Sequence, residues 1–346
     1  MEIAGKPIGL EHKPFIIAEM SGNHDGSLKK ALKIVEEAAR CGADAIKLQT
    51  YTEDTLTIDV DREEFYISDE DSLWHGYSLY DLYKKAHTPW EWHEEIFFHA
   101  KKNNLICFSS PFDDSAVEFL EDLDTPAYKI ASFEIVDHGL IKKVANQNKP
   151  IIISTGMASL EEISEAVEIC HSAGNTQLAL LQCTSSYPAD AKYSNLKTII
   201  SLREKFGCEV GLSDHTLGIS VALSSIALGA TIIEKHFNLS KDDTGVDSEF
   251  SSDPKELENL VRESKISHAS LGEVKFGIYE EDKELPILRR SLYIVKDIKK
   301  GDKFSKENVK SIRPGLGIHT KHLSKMIGRK AKTDLKKGTP VSIDML

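Results

Sequence analysis

The stretch Glu209-Val-Gly-Leu-Ser-Asp-His215 is a short apolar segment that ends in polar residues, and segments of this kind decide the fold. Side chains alternate between the two faces of a strand, so Ser213 and His215 are expected to point the same way. Burying the polar side chains at such a strand end costs free energy unless they have hydrogen-bond or charged partners.

A second such stretch, Thr231-Ile-Ile-Glu-Lys-His236, follows after one helix-sized interval and places Glu234 and His236 on one face. If the two strands are neighbours, the imidazoles of His215 and His236 can meet in one cavity. A divalent metal could bridge them there. The alternative is that each is a buried, hydrogen-bonded core histidine.

Six further apolar segments precede these two. They are Phe15–Ala18, Ala45–Leu48, Leu105–Phe108, Ala127–Ile130, Ile151–Ile153 and Leu178–Leu181. The stretches between them carry helix signals: Ser27 precedes an amphipathic run, and Ser159 with Glu162 has capping-box spacing. About eight βα units in roughly 270 residues predict an α/β protein with a closed (β/α)8 TIM barrel. No GxGxxG motif follows the first strand, which argues against a dinucleotide-binding doubly wound sheet.

The chain divides into three parts. Residues 1–272 are predicted to form the barrel, 273–287 a linker, and 288–346 a small β-rich domain. In the last part, Asp297-Ile-Lys-Lys-Gly301 and Asp334-Leu-Lys-Lys-Gly338 are near-copies. Each is predicted to form a turn between short apolar strands.

One long insertion, roughly Thr52 to Thr88, follows the second predicted strand. Loops after barrel strands form the rim of the active site, so the insertion could cover a substrate. The alternative is an excursion over the surface.

Charge is distributed unevenly along the chain. From Leu288 to Leu346 there are 16 Lys and Arg against 5 Asp and Glu, a net +11, whereas the remainder has 27 basic and 50 acidic residues, a net −23. The lysines are dispersed, without interleaved aromatic residues or a reader motif, so no nucleic-acid partner is expected. A basic module that docks on an acidic barrel is the simpler interpretation.

Composition points to a soluble protein of the cytoplasm. The chain is 40% hydrophobic and 28% charged, as globular domains are. No apolar run approaches the roughly 20 residues of a membrane span, so no membrane partner is expected. Residues 1–6 lack the layout of a signal peptide. Five dispersed cysteines without CxxC spacing suit free thiols in a reducing compartment.

Two lysines stand within predicted apolar strands, where an unpaired ammonium is costly to bury. Lys47 and Lys129, with hydroxyl groups at nearly every strand end, predict a site for a small, multiply charged anion. A ligand that carries both a phosphate and a carboxylate would satisfy them. Alternatively, both lysines form internal salt bridges with Glu19 and Glu134.

The two histidines would hold a divalent ion, with water in its other positions. Two imidazoles and waters suit Mn²⁺, Co²⁺ or Mg²⁺ better than a structural zinc. Such an ion can polarise a carbonyl or orient a water. A phosphorylated anion beside an electrophile-activating metal predicts carbon–carbon condensation, with no organic cofactor.

The strand ends also carry motifs of a known family. They are Ile17-Ala-Glu-Met-Ser-Gly-Asn-His24, Lys47-Leu-Gln-Thr50, Phe108-Ser-Ser-Pro-Phe112, Tyr128-Lys-Ile-Ala-Ser-Phe-Glu134, Ser154-Thr-Gly-Met157, Gln182-Cys-Thr-Ser-Ser-Tyr-Pro188, Gly211-Leu-Ser-Asp-His215 and Glu234-Lys-His-Phe237. Together they resemble the sialic acid synthase family, which condenses phosphoenolpyruvate (PEP) with an amino sugar. The tail from Ser291 to Gly315 is similar to the antifreeze-like (SAF) domain of that family. The resemblance covers nearly the whole chain.

The resemblance implies residue roles. PEP would be bound by Lys47, Ser110, Lys129, Ser132, Ser154, Ser185 and Ser213, and the metal by His215 and His236. The sugar, or water near its reacting carbon, would be contacted by Glu19, Gln49, Tyr187 and Asp247. Either Glu19 or Glu134 would move protons, and the sequence leaves this choice open.

Within the family, the sequence indicates a particular sugar. Synthases that act on N-acetylmannosamine usually have Gly-Pro-Asp where this chain has Gly245-Val-Asp247, and Asn where it has Ser185. The chain is most like the branch that uses 2,4-diacetamido-2,4,6-trideoxy-L-altrose. The alternative is a mannose-type N-acetylated sugar.

Members of the family form domain-swapped homodimers, in which the SAF domain covers the partner's barrel. The resemblance therefore implies a homodimer in which Arg313 reaches the sugar of the other subunit. The charges of +11 and −23 suit such docking.

Three other functions share some of these features. A class II-type aldolase or a related keto-acid sugar synthase would have the same barrel and metal, but a pyruvate aldolase does not release phosphate from PEP. A sugar-binding module without activity would have no need of buried lysines. A nucleic-acid binder would show strongly salt-dependent binding.

Overall fold

Eight parallel strands form a closed barrel in this computed structural model, which describes residues 1–70, 72–243 and 245–345. Two short antiparallel strands, β1 (Glu2–Ile3) and β2 (Lys6–Pro7), precede it. The barrel strands are β3 (Phe15–Glu19), β4 (Ala45–Thr50), β5 (Ile106–Pro111), β6 (Tyr128–Ile130), β7 (Ile151–Ser154), β8 (Leu178–Cys183), β9 (Glu209–Asp214) and β10 (Ile232–His236). Each strand pairs with the next, and β10 pairs with β3 to close the ring. The predicted (β/α)8 barrel is confirmed.

Helices follow the strands and pack around the barrel. They are α1 (Leu28–Cys41), α4 (His93–Lys102), α5 (Asp114–Asp122), α6 (His138–Ala145), α7 (Leu160–Ser172), α8 (Thr198–Phe206), α9 (Ser220–Ala227) and α10 (Pro254–Leu271). Two shorter helices, α2 (Glu53–Leu56) and α3 (Leu79–Ala86), belong to the insertion between β4 and α4. The hydroxyl of Ser27 accepts the amide of Lys30 at the start of α1, and Ser159 with Glu162 forms the predicted capping box of α7. None of the helices in the described ranges is long and apolar enough to cross a membrane.

The two ends of the barrel interior differ in polarity. Around the amino-terminal end, inward side chains such as Ile17, Phe108 and Leu181 form an apolar cluster, and Ile3 and Ile8 pack against it. Outward side chains of the same strands pack on the helices. The carboxyl-terminal end of the interior holds buried charged and hydroxyl groups instead. Chemistry is therefore confined to that end.

Gly211 shows how closely the strands of the barrel approach one another. A Cβ atom there would lie 2.3 Å from the carbonyl oxygen of Ile232 and 2.8 Å from Leu181. Any larger side chain would push β9 away from its neighbours. Since β9 leads directly to Ser213 and His215, the glycine sets the position of both.

The insertion between β4 and α4 is ordered by its own contacts. It contains α2, a short 3-10 turn at Glu63–Phe65, and α3, which is capped by the hydroxyl of Ser78. The indole of Trp74 donates to the carbonyl oxygen of Val246 at 2.8 Å, which ties the insertion to the loop after β10. Of the two alternatives for this segment, the structure has it covering the carboxyl-terminal end of the barrel.

A second compact unit spans Glu273–Leu346, after a first unit of Met1–Gly272. It contains the antiparallel strands β11 (Ser291–Ile294) and β12 (Val309–Ile312) and the short helix α11 (Leu323–Met326). Its own core includes Leu292, Phe304 and Val341.

The two near-copies in this second unit bind one another. Asp297 accepts the backbone amide of Lys337 at 2.8 Å, and Asp334 accepts the amide of Lys300 at 2.8 Å. Gly301 and Gly338 both have φ near +90°, as the two turns require. The repeat in the sequence is thus a pair of turns that satisfy each other's backbone.

Candidate active site at the carboxyl ends of the strands

Lys47 lies at the centre of the polar end of the barrel. Its ammonium is 2.5 Å from Glu19, 3.9 Å from Glu234 and 3.3 Å from the hydroxyl of Ser110. Strand β4 places it there because Lys47 and Gln49 face inward while the side chains between them pack on the helices. Burial alone would lower the pKa of Lys47, but the two carboxylates outweigh burial and raise it.

Lys129 faces the same space from β6. Its ammonium donates to the hydroxyl of Ser154 at 2.7 Å and lies 3.6 Å from Glu234. Burial lowers the pKa of Lys129, Lys47 adds to this effect, and Glu234 opposes it. The site therefore holds two ammonium groups next to each other, which favours an anion with more than one charge.

Glu234 is the carboxylate that lies close to both lysines, and no role was predicted for it from the sequence. It also accepts the hydroxyl of Ser213 at 3.2 Å. Burial would raise its pKa, but the two ammonium groups lower it, so Glu234 stays charged. The alternative prediction paired the two lysines with Glu19 and Glu134. Glu19 does pair with Lys47, but the carboxylate next to Lys129 is that of Glu234 and not that of Glu134. The signal was present, since strand alternation puts Glu234 on the same face as His236.

Three residues at the ends of β6, β7 and β8 form a small polar cradle. Ser132 accepts the amide of Gly156 at 3.1 Å. A Cβ on Gly156 would lie 2.3 Å from the hydroxyl of Ser185 and 2.8 Å from that of Ser132. In the described part of the chain, the buried hydroxyl oxygen of Ser185 has no hydrogen-bond partner. The cradle is thus open to an acceptor such as a phosphate oxygen.

The two histidines meet as predicted, with ring centroids 5.3 Å apart. The Nδ1 atom of His215 is 3.0 Å from the carbonyl oxygen of Thr184, so it carries the proton and leaves Nε2 free. Burial lowers the pKa of His236 well below its ordinary range, which keeps the ring neutral. Among the described residues its buried Nδ1 has no hydrogen-bond partner. Burial would lower the pKa of His215 as well, but its contact with the Cys183 thiol raises it. The neutral ring of His236, with its unpartnered nitrogen, and the Nε2 atom of His215 are donors of the kind that could bind a divalent metal.

The protein supplies few further metal ligands. Within residues 1–70, 72–243 and 245–345, no group of three or more His, Cys, Asp and Glu side chains is arranged to hold a metal. Asp247 is the acid beside the pair, with its carboxylate 3.9 Å from Nδ1 of His236. The binding of a divalent metal by the two imidazoles stays a prediction.

Cys183 was not singled out from the sequence, yet it lies beside His215. Its sulfur is 3.9 Å from Nδ1 of that histidine. Burial would raise the pKa of the thiol, but His215 lowers it to about 7. The pattern alone gave no signal, because the contact joins β8 to the residue after β9.

Glu19 and Glu134 differ in their contacts. The sequence left open which of these two carboxylates would move protons. One oxygen of Glu19 accepts from the amide of Ser21 at 3.1 Å and from Gln49 at 3.1 Å, and the other pairs with Lys47. Burial raises the pKa of both carboxyl groups to about 7. Among the described residues one oxygen of Glu134 has no hydrogen-bond partner. Glu19 is therefore held by Ser21, Gln49 and Lys47, whereas Glu134 has an oxygen that is open to a further partner.

A cavity of about 410 Å³ opens next to these groups. Its polar end is lined by Ser21, Gln49, Glu134, Tyr187, His236 and Asp247. Asp247 is held by a hydrogen bond from the hydroxyl of Ser21. The ring of Tyr187 lies tilted against that of His215, with centroids 4.5 Å apart. Of the residues predicted to contact the sugar, Gln49, Tyr187 and Asp247 therefore share one cavity with His236.

Arg313 is the one predicted site residue outside the barrel unit. It directly follows β12 in the second unit and is exposed. All the other predicted site residues lie at the carboxyl ends of the barrel strands or in the loops that follow them.

Fold and site together define a (β/α)8-barrel enzyme with an anion site and a paired-histidine site at the carboxyl ends of its strands. A sequence model of the NeuB family matches residues 34–276, and one of the SAF domain matches residues 289–346. The chain belongs to the NeuB family. The resemblance predicted from the motifs is confirmed in both units.

Known proteins resemble the chain over most of its length. It is 47% identical over 328 residues to pseudaminic acid synthase of Campylobacter jejuni, covering 95% of each chain. It is 38% identical over 332 residues to N,N'-diacetyllegionaminic acid synthase of the same organism, covering 94% of this chain and 97% of the other. The crystal structure of N-acetylneuraminic acid synthetase from Leptospira borgpetersenii in complex with citrate matches with a TM-score of 0.72 and 33% identity, covering 82% of this chain and 94% of that one.

Proposed function

We propose that the chain is a pseudaminic acid synthase, which condenses PEP with 2,4-diacetamido-2,4,6-trideoxy-L-altrose and water to give pseudaminic acid and phosphate. The observation that carries the proposal is the identity of 47% to one synthase against 38% to the other, both from one organism and both over nearly the full chain. The alternative is a synthase for N-acetylneuraminic or legionaminic acid, which uses a mannose-type sugar.

The anion site suits PEP. Lys47 and Lys129 provide two positive charges for a carboxylate and a phosphate, and Ser110 and Ser154 are already hydrogen-bonded to them. The cradle of Ser132, Gly156 and Ser185 offers the next donors. These groups lie in a buried pocket, where charge-assisted hydrogen bonds are stronger than in water.

The sugar would enter the 410 Å³ cavity with its aldehyde at the polar end. A divalent metal held by His215 and His236 would supply a Lewis acid for the aldehyde oxygen. Tyr187 and Asp247 lie beside the histidines and would orient the carbon chain of the sugar.

The proposed reaction has three steps, in which a carbon–carbon bond forms, water adds and phosphate leaves. C3 of PEP attacks the aldehyde carbon, which leaves negative charge on the former aldehyde oxygen and positive charge at C2. Water adds to C2, and its first proton passes to a base and from there to the former aldehyde oxygen. The C2–O bond to phosphate breaks, and phosphate carries away the remaining hydroxyl proton. Lys47 and Lys129 stabilise the charge that grows on the leaving phosphate.

Glu134 is the better candidate for the base. It borders the cavity, whereas Glu19 is held by Lys47, Ser21 and Gln49. The pKa of both carboxyl groups is about 7, which suits taking a proton from water and giving it back, so Glu134 is preferred for its position and not for its pKa.

The sugar is tested by phosphate release from PEP with Mn²⁺ present. The three candidates are the diacetamido altrose, its diacetamido mannose-type counterpart and N-acetylmannosamine. We expect turnover with the altrose sugar only, and no release without sugar. Turnover with either mannose-type sugar in its place would keep the family and contradict the proposed substrate.

The base is tested by the pH dependence of kcat. Since the carboxylate form of Glu134 accepts the proton, kcat should fall as the pH drops below about 7. Glu134→Gln should lose this limb and lower kcat by about a hundredfold or more. Glu19→Gln is the matched control and should keep the limb; if it loses the limb instead, the roles of the two carboxylates are reversed.

The metal site is tested by His215→Ala and His236→Ala. Each should abolish metal-dependent turnover and weaken Mn²⁺ binding measured by calorimetry, because two imidazoles are the main ligands that the protein offers. His138→Ala, on the surface of the barrel, is the control and should behave as the unaltered enzyme. Near-normal activity of either site variant across a metal titration would rule out the two-histidine site.

We also propose a homodimer in which Arg313 acts on the other subunit's sugar. The charge of +11 from Leu288 to Leu346 against −23 in the rest of the chain supports such docking. Arg313→Ala should raise the KM for the sugar without unfolding the protein, and the exposed Arg329→Ala is its control.

Action across subunits is tested with heterodimers of one Arg313→Ala chain and one Lys129→Met chain, purified by two different tags. Each such dimer has one site with both residues intact, so about half of the normal activity should return. If activity stays at the level of the Arg313→Ala homodimer, Arg313 does not act across subunits.

A further inference from the structure

Each of the two histidines is preceded in the chain by a charged residue that the proposed chemistry does not use. These residues are Asp214, before His215, and Lys235, before His236. Asp214 and Lys235 stand opposite each other in the register of β9 and β10. Their side chains point away from the barrel interior, because the neighbouring Glu234 points into it and side chains alternate along a strand. The two strands therefore carry the site on one face and a pair of charges on the other.

This pair of charges is buried and closely bonded. The ammonium of Lys235 lies 3.0 Å from the carboxylate of Asp214, and each side chain exposes only 1% of its surface. The same ammonium donates to the backbone carbonyl oxygen of Thr216. Burying two charges together costs desolvation, and an apolar pair of similar volume is often as stable or more stable. The stability of the barrel by itself therefore does not explain why charges stand at these two positions.

Asp214 closes a tight turn around His215. One of its carboxylate oxygens accepts the amide of Thr216 at 3.0 Å and the hydroxyl of Thr216 at 2.7 Å. A carboxylate that accepts the amide two residues further on restricts the backbone of the residue between them. His215 is that residue, and its own carbonyl oxygen accepts the amide of Ala189 at 3.0 Å. The backbone from which the ring of His215 projects is thus held by several bonds.

Lys235 ties this turn to the second histidine. It bridges from β10 to both ends of the turn, the carboxylate of Asp214 and the carbonyl oxygen of Thr216. His236 follows Lys235 directly, so the bridge joins the backbone at one histidine to the backbone at the other. A shift of β10 against the end of β9 would change the distance of 5.3 Å between the two ring centroids, and it would also break these bonds.

We propose that Lys235 is a positioning residue, which fixes the separation of His215 and His236 through its bonds to Asp214 and Thr216. Its ammonium points away from the site, so it acts through the two histidines. The inference rests on the proposed function, since a fixed separation matters for an ion that both imidazoles bind at once. Partners that orient metal ligands typically contribute about ten- to a hundredfold to the affinity for the metal.

Lys235→Met removes the bridge and nearly keeps the length of the side chain. The affinity for Mn²⁺, measured by calorimetry, should fall by about tenfold or more, because the spacing of the imidazoles is no longer fixed. The KM for PEP at saturating Mn²⁺ should not change, since Lys47 and Lys129 lie on other strands. The variant also leaves the carboxylate of Asp214 buried without its ammonium, which should lower the thermal midpoint.

A second variant separates positioning from stability. Asp214→Asn combined with Lys235→Met removes both charges, and the side-chain oxygen of asparagine can still accept from Thr216. The thermal midpoint should recover relative to that of Lys235→Met, whereas the affinity for Mn²⁺ should stay low because the bridge is still missing. Recovery of both quantities together would show that the pair contributes only to stability, and it would overturn the inference.

Arg203→Met is the matched control. Arg203 pairs with Glu209 at 3.2 Å and donates to the carbonyl oxygen of Gly229 at 2.7 Å, so it also ties β9 to the chain that leads into β10. It does so at the amino-terminal end of these strands, away from the histidines. The thermal midpoint should fall in this variant, but its affinity for Mn²⁺ should equal that of the unaltered enzyme.

The positions of the two rings are also measured without metal, by NMR of protein with isotope-labelled histidine rings. The signals of His215 and His236, assigned from their alanine variants, should shift in Lys235→Met and not in Arg203→Met. If the unaltered enzyme binds no Mn²⁺, the metal site of the proposed function fails, and these signals alone decide the inference. Unshifted signals in Lys235→Met, or an affinity for Mn²⁺ equal to that of the unaltered enzyme, would overturn it.

Discussion

Two buried ammonium groups constrain the rest of the structure. Lys47 and Lys129 expose 3% and 2% of their surface, and neither could remain charged there without a carboxylate close by. Glu234 provides that carboxylate for both. The three residues come from β4, β6 and β10, which are not neighbours in the sheet, so they meet only across the interior. A closed barrel is the arrangement that brings them together.

The same interior is divided into an apolar and a polar layer. Side chains such as Phe108 and Leu181 fill the amino-terminal end, and the buried charged side chains of Lys47, Lys129 and Glu234 follow them towards the carboxyl-terminal end. The insertion between β4 and α4 adds apolar side chains such as Leu79 and Leu82 to the cavity that Glu134, His236 and Asp247 also line.

Aromatic rings determine the surroundings of the two imidazoles. Tyr187 lies 4.5 Å from His215, and Phe250 lies 4.8 Å from His236, measured between ring centroids. They limit access of water to the pair, which is why burial dominates the pKa of His236. His215 is oriented by the carbonyl oxygen of Thr184. The two rings are thus buried side by side, with His236 kept neutral and His215 held in one orientation.

The sequence by itself determined the barrel, the inward direction of both lysines and the meeting of the two histidines. Alternation along a strand and the parallel order of the strands are local properties, and they decide which side chains share the carboxyl-terminal end. The shared role of Glu234, the contact of Cys183 with His215 and the part of the cavity lining that the insertion supplies were decided only by the tertiary structure. Each depends on distances across the barrel or between a long insertion and the barrel, and no periodicity in the sequence encodes such distances.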